Sequence, residues 1–221
     1  MKPLKTVLLM SEDTALQVCD LASKARVNLD VTIATDLKSL LGAFLTPKEL
    51  LLSFGTGVIV PSWILQIPGL HAVNVHAASP SYPGRDPHHF AVYDGVDSFG
   101  ATMHYMTEIV DEGMIIDVEY FDILSEITPS ELLKLANMAG WKIIGRFFER
   151  YREHGVPIPI TRVTWAKRKT TRKMFLDMCQ IEPSMPKEEI ERRYKATAMP
   201  GYRNLQINLH GYIFRIEGPA E

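Results

Sequence analysis

The chain has 221 residues, with 24 lysines and arginines against 26 aspartates and glutamates, 46% hydrophobic residues and two cysteines. That composition excludes a disordered segment, a collagen and a disulfide scaffold, and the length accommodates one full domain plus a smaller appendage. A formal net charge of -2 excludes a globally basic nucleic-acid binder. One local exception is the stretch from Arg162 to Lys173, which holds six basic residues and no acidic one; it is either a solvated face or a site for phosphate groups.

No stretch approaches the ~20 apolar residues of a membrane span, and the apolar part of the N-terminus is too short for a signal peptide, so a cytoplasmic protein is expected. Cys19 and Cys179 read as reduced packing residues.

Residues 6–10 form a short apolar strand ending at Ser11-Glu12-Asp13, which supply the N-cap and first turn of a helix. Its apolar face includes Leu16, Cys19, Leu21 and Ala22. Residues 27–34 alternate as a second strand, and the βαβ unit so made implies a parallel sheet with a right-handed crossover. Further strands are expected at 50–54, continuing around 58–60, and at 72–76. Pro61 opens a short helix ending near Gln66, because proline is favoured at the first helical position.

A helix over 86–93 is closed by Asp94-Gly95, and strands at 101–107 and 114–121 are joined by 108–113. The clearest element follows. Thr128-Pro129-Ser130-Glu131 is a capping box, and Leu132, Ala136, Ala139, Ile143 and Phe147 recur at helical spacing to about Arg150. Pro157 and Pro159 then break the chain, dividing it into 1–157 and 158–221. The second part holds a basic loop, a helix over about 186–195, and a hairpin of 205–209 and 212–216 turning at His210-Gly211. The fold class is α/β, with a Rossmann-like, mostly parallel sheet flanked by helices and a small C-terminal hairpin tail.

The first strand–helix turn contains no glycine and carries two carboxylates, which argues against a bound pyrophosphate, and no P-loop is present. His88-His89 lacks the partners of a metal set, so no metal is expected. His71, His154 and His210 fall at turns and read as surface residues, whereas His76 and His104 lie in apolar strands. A period of two places Asn74 and His76 on one face at the carboxyl end of a strand, where ligands bind in open α/β sheets.

The ordered string of Asn74-x-His76, the loop Ser79 to Pro83-Gly84, and Thr102-x-His104 followed by Asp111-x-Gly113 resembles the folate-dependent formyltransferases. The resemblance covers about residues 5–125 and implies the formyltransferase fold and N10-formyltetrahydrofolate as co-substrate. Asn74, His76 and Asp111 are then the catalytic residues. Asn74 and a protonated His76 stabilise the oxyanion formed as an amine attacks the formyl carbon, and Asp111 holds His76 charged and helps collect the proton. Thr102 and His104 support them, with a plain packing role for His104 left open. The resemblance also implies a pterin site formed by Val58 and Ile59, as strand residues, with Glu108, Ile109 and Asp111.

Within the family, the tail around Met199-Pro200-Gly201-Tyr202 and the hairpin are similar to sugar N-formyltransferases of bacterial surface-polysaccharide (O-antigen) pathways. That similarity implies a nucleotide-linked amino sugar as acceptor, a dTDP- or GDP-linked 4-amino-4,6-dideoxyhexose. Arg85 and the basic stretch would meet its diphosphate, and Tyr202 would either stack on its base or pack the hairpin. A homodimer is expected, with no nucleic acid and no membrane as partner. The alternatives are formylation of glycinamide ribonucleotide, whose glycine-rich phosphate loop is absent here, a methionyl-tRNA formyltransferase-like protein, and a non-catalytic folate- or nucleotide-sugar-binding module.

Overall fold

Six strands form the main sheet of the computed structural model, which describes residues 2–123, 126–159 and 162–216. They are β1 (Leu4–Leu9), β2 (Leu29–Ala34), β3 (Leu50–Phe54), β4 (His71–His76), β5 (Ser98–Tyr105) and β6 (Ile115–Asp122), in the order β2-β1-β3-β4-β5-β6. The first four are parallel; β5 and β6 add on antiparallel. The α/β class and the mostly parallel, Rossmann-like sheet are therefore observed. All five residues of β3 are buried, as a central strand covered on both faces requires.

Helices α1 (Glu12–Lys24) and α5 (Pro129–His154) cover one face. Their Val18, Ala22, Ile143 and Phe147 pack in one cluster with Leu8, Leu52, Val73 and Val75 of the sheet. Ser11 caps α1, accepting from the Thr14 N–H at 3.3 Å, and the Thr128–Glu131 capping box opens α5, both as expected. The buried stripe of α1 is Ala15, Val18 and Ala22, which leaves Leu16 67% exposed instead of packed. The other face is covered by α2 (Leu37–Ala43) and α3 (Ser62–Leu65), whose Leu40 and Ile64 pack on Val7, Leu9, Leu51 and Ala72.

Several boundaries differ from expectation. Residues 58–60 form no strand, because Gly55 takes φ +65° and turns the chain out of the sheet after Phe54. Pro61 is the N-cap of α3 and not its first residue. His71 is the first residue of β4 and half-buried, so it is no surface turn. Helix α2, capped by Asp36 and Ser39, has no counterpart in the expected elements.

Helix α4 (Pro87–Asp94) ends at Gly95, as expected. After α5 come α6 (Arg172–Met178), β7 (Gln180–Ile181), α7 (Lys187–Thr197), β8 (Gln206–Leu209) and β9 (Tyr212–Arg215), the three strands forming a second sheet. The hairpin turns at His210 and Gly211, both at positive φ, which suits a two-residue turn. The expected basic loop thus becomes helical from Arg172. This part docks on α4 through Phe90, Phe175, Met178, Cys179 and Ala196; residues 217–221 of the second segment lie outside the described residues. No helix among the described residues is long and apolar enough to cross a membrane.

Candidate active site

Strand β4 sends Val73 and Val75 into the core under α5, so the alternate residues Asn74 and His76 face the opposite side. Antiparallel β5 sets His104 beside Asn74 and Thr102 beside His76, and a register shift between Met103 and His104 marks an irregularity of the kind that re-aims a side chain. The loop after β5 folds back so tightly that a Cβ on Gly113 would lie 1.8 Å from the Tyr105 carbonyl oxygen. Only glycine fits there. The fold-back carries Asp111, at φ +52°, into the space between the two histidines.

Asp111 is 2% exposed. Its Oδ2 accepts from the Gly84 N–H at 2.9 Å and lies 3.7 Å from His76 Nδ1; its Oδ1 lies 3.4 Å from His104 Nε2 but has no hydrogen-bond partner among the described residues. His104 Nδ1 donates to the Tyr105 carbonyl at 2.8 Å, so in the neutral ring Nε2 is the acceptor for Asn74 Nδ2 at 3.1 Å. His76 Nε2 donates to the Tyr82 carbonyl at 3.0 Å.

Burial on its own would raise the Asp111 carboxyl, but the His104 and His76 imidazoles and the Gly84 N–H outweigh it and hold the group at about 2. Asp111 is an anion at neutral pH. For His76 the balance goes the other way: burial pushes it below the usual imidazole range although Asp111 opposes the shift. The resting imidazole is therefore neutral, which corrects the expectation of a protonated His76.

Thr102 stands beside His76 in the ladder, but its hydroxyl donates to the Ala78 carbonyl at 2.7 Å and ties down the chain leaving β4. Trp165, unforeseen from the sequence, touches the cluster. Its Nε1 donates to the Gly113 carbonyl at 2.7 Å, and its ring stands edge-on at 5.1 Å from His104 and 6.0 Å from His76. Main-chain bonds bring it there. The Ala166 N–H donates to the Pro80 carbonyl at 2.9 Å, the Thr170 N–H to that of Pro83 at 2.9 Å, and the Arg85 N–H to that of Thr170 at 3.0 Å. Gly84, at φ +102°, permits the approach, because a Cβ there would lie 2.1 Å from the Thr170 oxygen.

Asn74, His76, His104 and Asp111 line a cleft of about 610 Å³. Its lining includes the apolar Val58, Ile59, Val60 and Val110 and the polar Glu108, Arg85, Asp86, His88, Lys169 and Arg172. Of the residues expected around a pterin, Val58, Ile59, Glu108 and Asp111 reach the cleft, Val58 and Ile59 from a loop. Ile109 is 56% exposed and outside the lining, and Val110 takes its place. Arg85 is in the wall, but Tyr202 is not: it is 70% exposed beside a separate depression of about 310 Å³ bordered by Thr128 and Tyr194. The basic stretch is largely ion-paired, with Arg168 3.8 Å from Asp94, Lys169 3.4 Å from Glu112, Arg172 3.6 Å from Asp86 and Lys173 2.7 Å from Asp177. No group of three or more His, Cys, Asp or Glu residues suited to a metal occurs among the described residues.

Residues 39–145 match the family model described as "Formyl transferase". Over those residues the chain resembles the formyl transferase family. The match takes in β3 to β6, most of α5 and all four polar residues of the cluster. A curated methionyl-tRNA formyltransferase of Methylibium petroleiphilum is 31% identical over 144 residues, 63% of this chain and 44% of that one; the chain spans less than half the length of that relative. Among solved structures, a 4-N formyltransferase from Francisella tularensis superposes with a TM-score of 0.78 at 16% identity, covering 99% of this chain and 98% of that one. A sugar N-formyltransferase from a Shewanella species gives 0.77 at 15% identity, covering 100% and 99%. These two likenesses establish the shared fold.

Proposed function

We propose that the protein transfers a formyl group from N10-formyltetrahydrofolate to the amine of a nucleotide-linked amino sugar, a dTDP- or GDP-linked 4-amino-4,6-dideoxyhexose. The observation that carries the reading is the cluster itself: an amide, two imidazoles and an anionic carboxylate linked in a chain of contacts of 3.1, 3.4 and 3.7 Å at the wall of the cleft. Binding alone has no need of that set. The formyl donor suits the apolar part of the lining, where Val58, Ile59 and Val110 fit a flat ring and main-chain groups of Glu108, Val110 and Asp111 fit its polar edge; when bound, it supplies the activated one-carbon unit.

The chemistry follows from the side chains. Asn74 Nδ2–H is a neutral donor for the carbonyl oxygen that gains charge as the amine adds, a contact worth ~3–4 kcal/mol in such sites. Neutral His76 can take the proton that the amine gives up, and anionic Asp111 beside Nδ1 stabilises the imidazolium so formed. Return of that proton to the folate nitrogen, as its bond to the formyl carbon breaks, releases tetrahydrofolate. His104 holds the Asn74 amide in orientation through Nε2.

Two observations support the sugar acceptor. The ion pairing of Arg168, Lys169, Arg172 and Lys173 reduces the positive charge that the basic stretch offers a polyanion such as tRNA. The first loop, with Ser11 capping α1 and Glu12 and Asp13 in its first turn, offers no phosphate cradle of the kind a ribonucleotide acceptor would use. The match to the sugar N-formyltransferase neighbour over nearly its whole length agrees with this. The exposed Tyr212, Ile213 and Phe214 of the hairpin support a homodimer. A methionyl-tRNA acceptor is the second reading, favoured by the 31% identity to an enzyme so named.

The test offers the purified protein N10-formyltetrahydrofolate with each acceptor in turn. Tetrahydrofolate release that depends on a dTDP- or GDP-linked 4-amino sugar is expected. Turnover with methionyl-tRNA or glycinamide ribonucleotide and none with the sugars would overturn the acceptor assignment.

A further inference from the structure

His88 is a buried imidazole in the cleft wall with nothing to bond to. It lies in the first turn of α4, is 8% exposed, and neither ring nitrogen has a hydrogen-bond partner among the described residues. Its chain neighbour differs. His89 Nδ1 donates to the Ala196 carbonyl at 2.6 Å and its ring packs 4.6 Å from Phe175, so His89 fastens α4 to α7 and α6. His88 lines the cleft instead, its ring 4.5 Å from that of His89 and both its nitrogens closed to solvent, so that a ligand atom reaches them only as the wall adjusts. Burial, with His89 and His76 close by, pushes it down to about 3. A neutral imidazole presents one N–H donor and one acceptor nitrogen.

Asp86, two residues earlier and in the same wall, is alike in part: it lacks a hydrogen bond, although an ion-pair partner faces it. Its Oδ2 is buried without a hydrogen bond, 3.6 Å from Arg172 Nη1. Folded proteins rarely leave such atoms unpaired, and those that remain call for a partner from outside the chain. The two side chains also restrict what that partner is. A phosphate offers acceptors alone and would be repelled by the carboxylate; an apolar group would leave every atom unpaired. A hydroxyl both donates and accepts, and so matches an imidazole and a carboxylate side by side.

We propose that His88 and Asp86 form the subsite that binds the hydroxyl-bearing ring of the acceptor, a sugar, while Arg85 in the same wall meets its phosphates. This deepens the acceptor reading given above and rests on it. It also explains why an unpaired imidazole is kept in the interior: the site is complete when the sugar is bound.

Calorimetric titration of the full chain with dTDP-glucose and with GDP-mannose, which carry sugar hydroxyls but no amine, separates binding from transfer. The wild type is expected to bind one of them at least about tenfold more tightly than the matching free nucleoside diphosphate. His88→Phe should remove that increment, leave affinity for the free nucleotide within about twofold, and leave the Tm of the unliganded protein unchanged or higher, because no hydrogen bond is lost. His88→Asn, which keeps a donor and an acceptor, should restore part of the increment. A wild type without the increment, a His88→Phe variant that keeps it, or a fall in Tm of more than about 5 °C in that variant would overturn the proposal. An intact increment in a protein that formylates no amino sugar would overturn the proposed function and leave the subsite standing.

Discussion

Asp111 and Asp117 are both 2% exposed, yet their surroundings differ in kind. Asp117, on β6, is gripped by guanidinium groups: Arg146 Nε and Nη2 donate to it at 3.0 and 3.2 Å and Arg150 Nη2 at 3.1 Å. Asp111 faces two imidazoles at 3.4 and 3.7 Å, has a single main-chain donor, and keeps one oxygen without a hydrogen bond. Guanidinium does not release a proton in a protein, so the Asp117 network ties β6 to α5 and is chemically inert. Imidazoles exchange protons near neutral pH, so the Asp111 cluster can change its protonation during a reaction. A buried carboxylate therefore signals a reactive site by the partners that face it.

This contrast breaks first at Asp117. Replacing it with Asn leaves two partly exposed arginines short of their counter-charge, and is expected to cost ~2–3 kcal/mol of stability, with the rate per folded molecule unchanged. Thermal unfolding should show a Tm lower by roughly 4–12 °C. A loss of rate without loss of Tm would place Asp117 in the chemistry and erase the distinction.

The pH profile sharpens the Asp111 side. Because burial lowers the proton affinity of His76 and the neutral ring is the active form, kcat/KM should fall on the acid side with a midpoint below ~6.5, at up to tenfold per pH unit. The fall should be missing in the residual activity of His76→Gln. Activity that instead decreases as pH rises through this range would restore a charged His76. A smaller effect is expected at Trp165: Trp165→Phe keeps a ring near both histidines but loses the bond to the Gly113 carbonyl, and should lower kcat about three- to tenfold at nearly constant KM. Steady-state kinetics would show it.

Local patterns made much of this legible. The period of two in β4 placed Asn74 and His76 on one face, and the Thr128–Glu131 box announced α5. Asp111 entered through resemblance, since no local pattern says that a loop held back by Gly113 will carry it between two strand histidines. Trp165 was hidden for a related reason. The segment bearing it is fixed by main-chain bonds to Pro80, Pro83 and Arg85, far away in sequence, and its own composition shows only a run of bases. The apolar run 58–60 looked like strand but walls the cleft, because Gly55 diverts it. The charge of His76 is not legible in the sequence because burial, which decides it, is a property of the folded chain.

The most direct measurement is the formyl-transfer rate of Asp111→Asn beside its Tm. The variant keeps the shape of the side chain and removes the charge that stabilises an imidazolium at His76. A rate at least ~10²-fold below wild type with a Tm within a few degrees is the expected result. A rate within about tenfold of wild type would contradict the role given to the cluster.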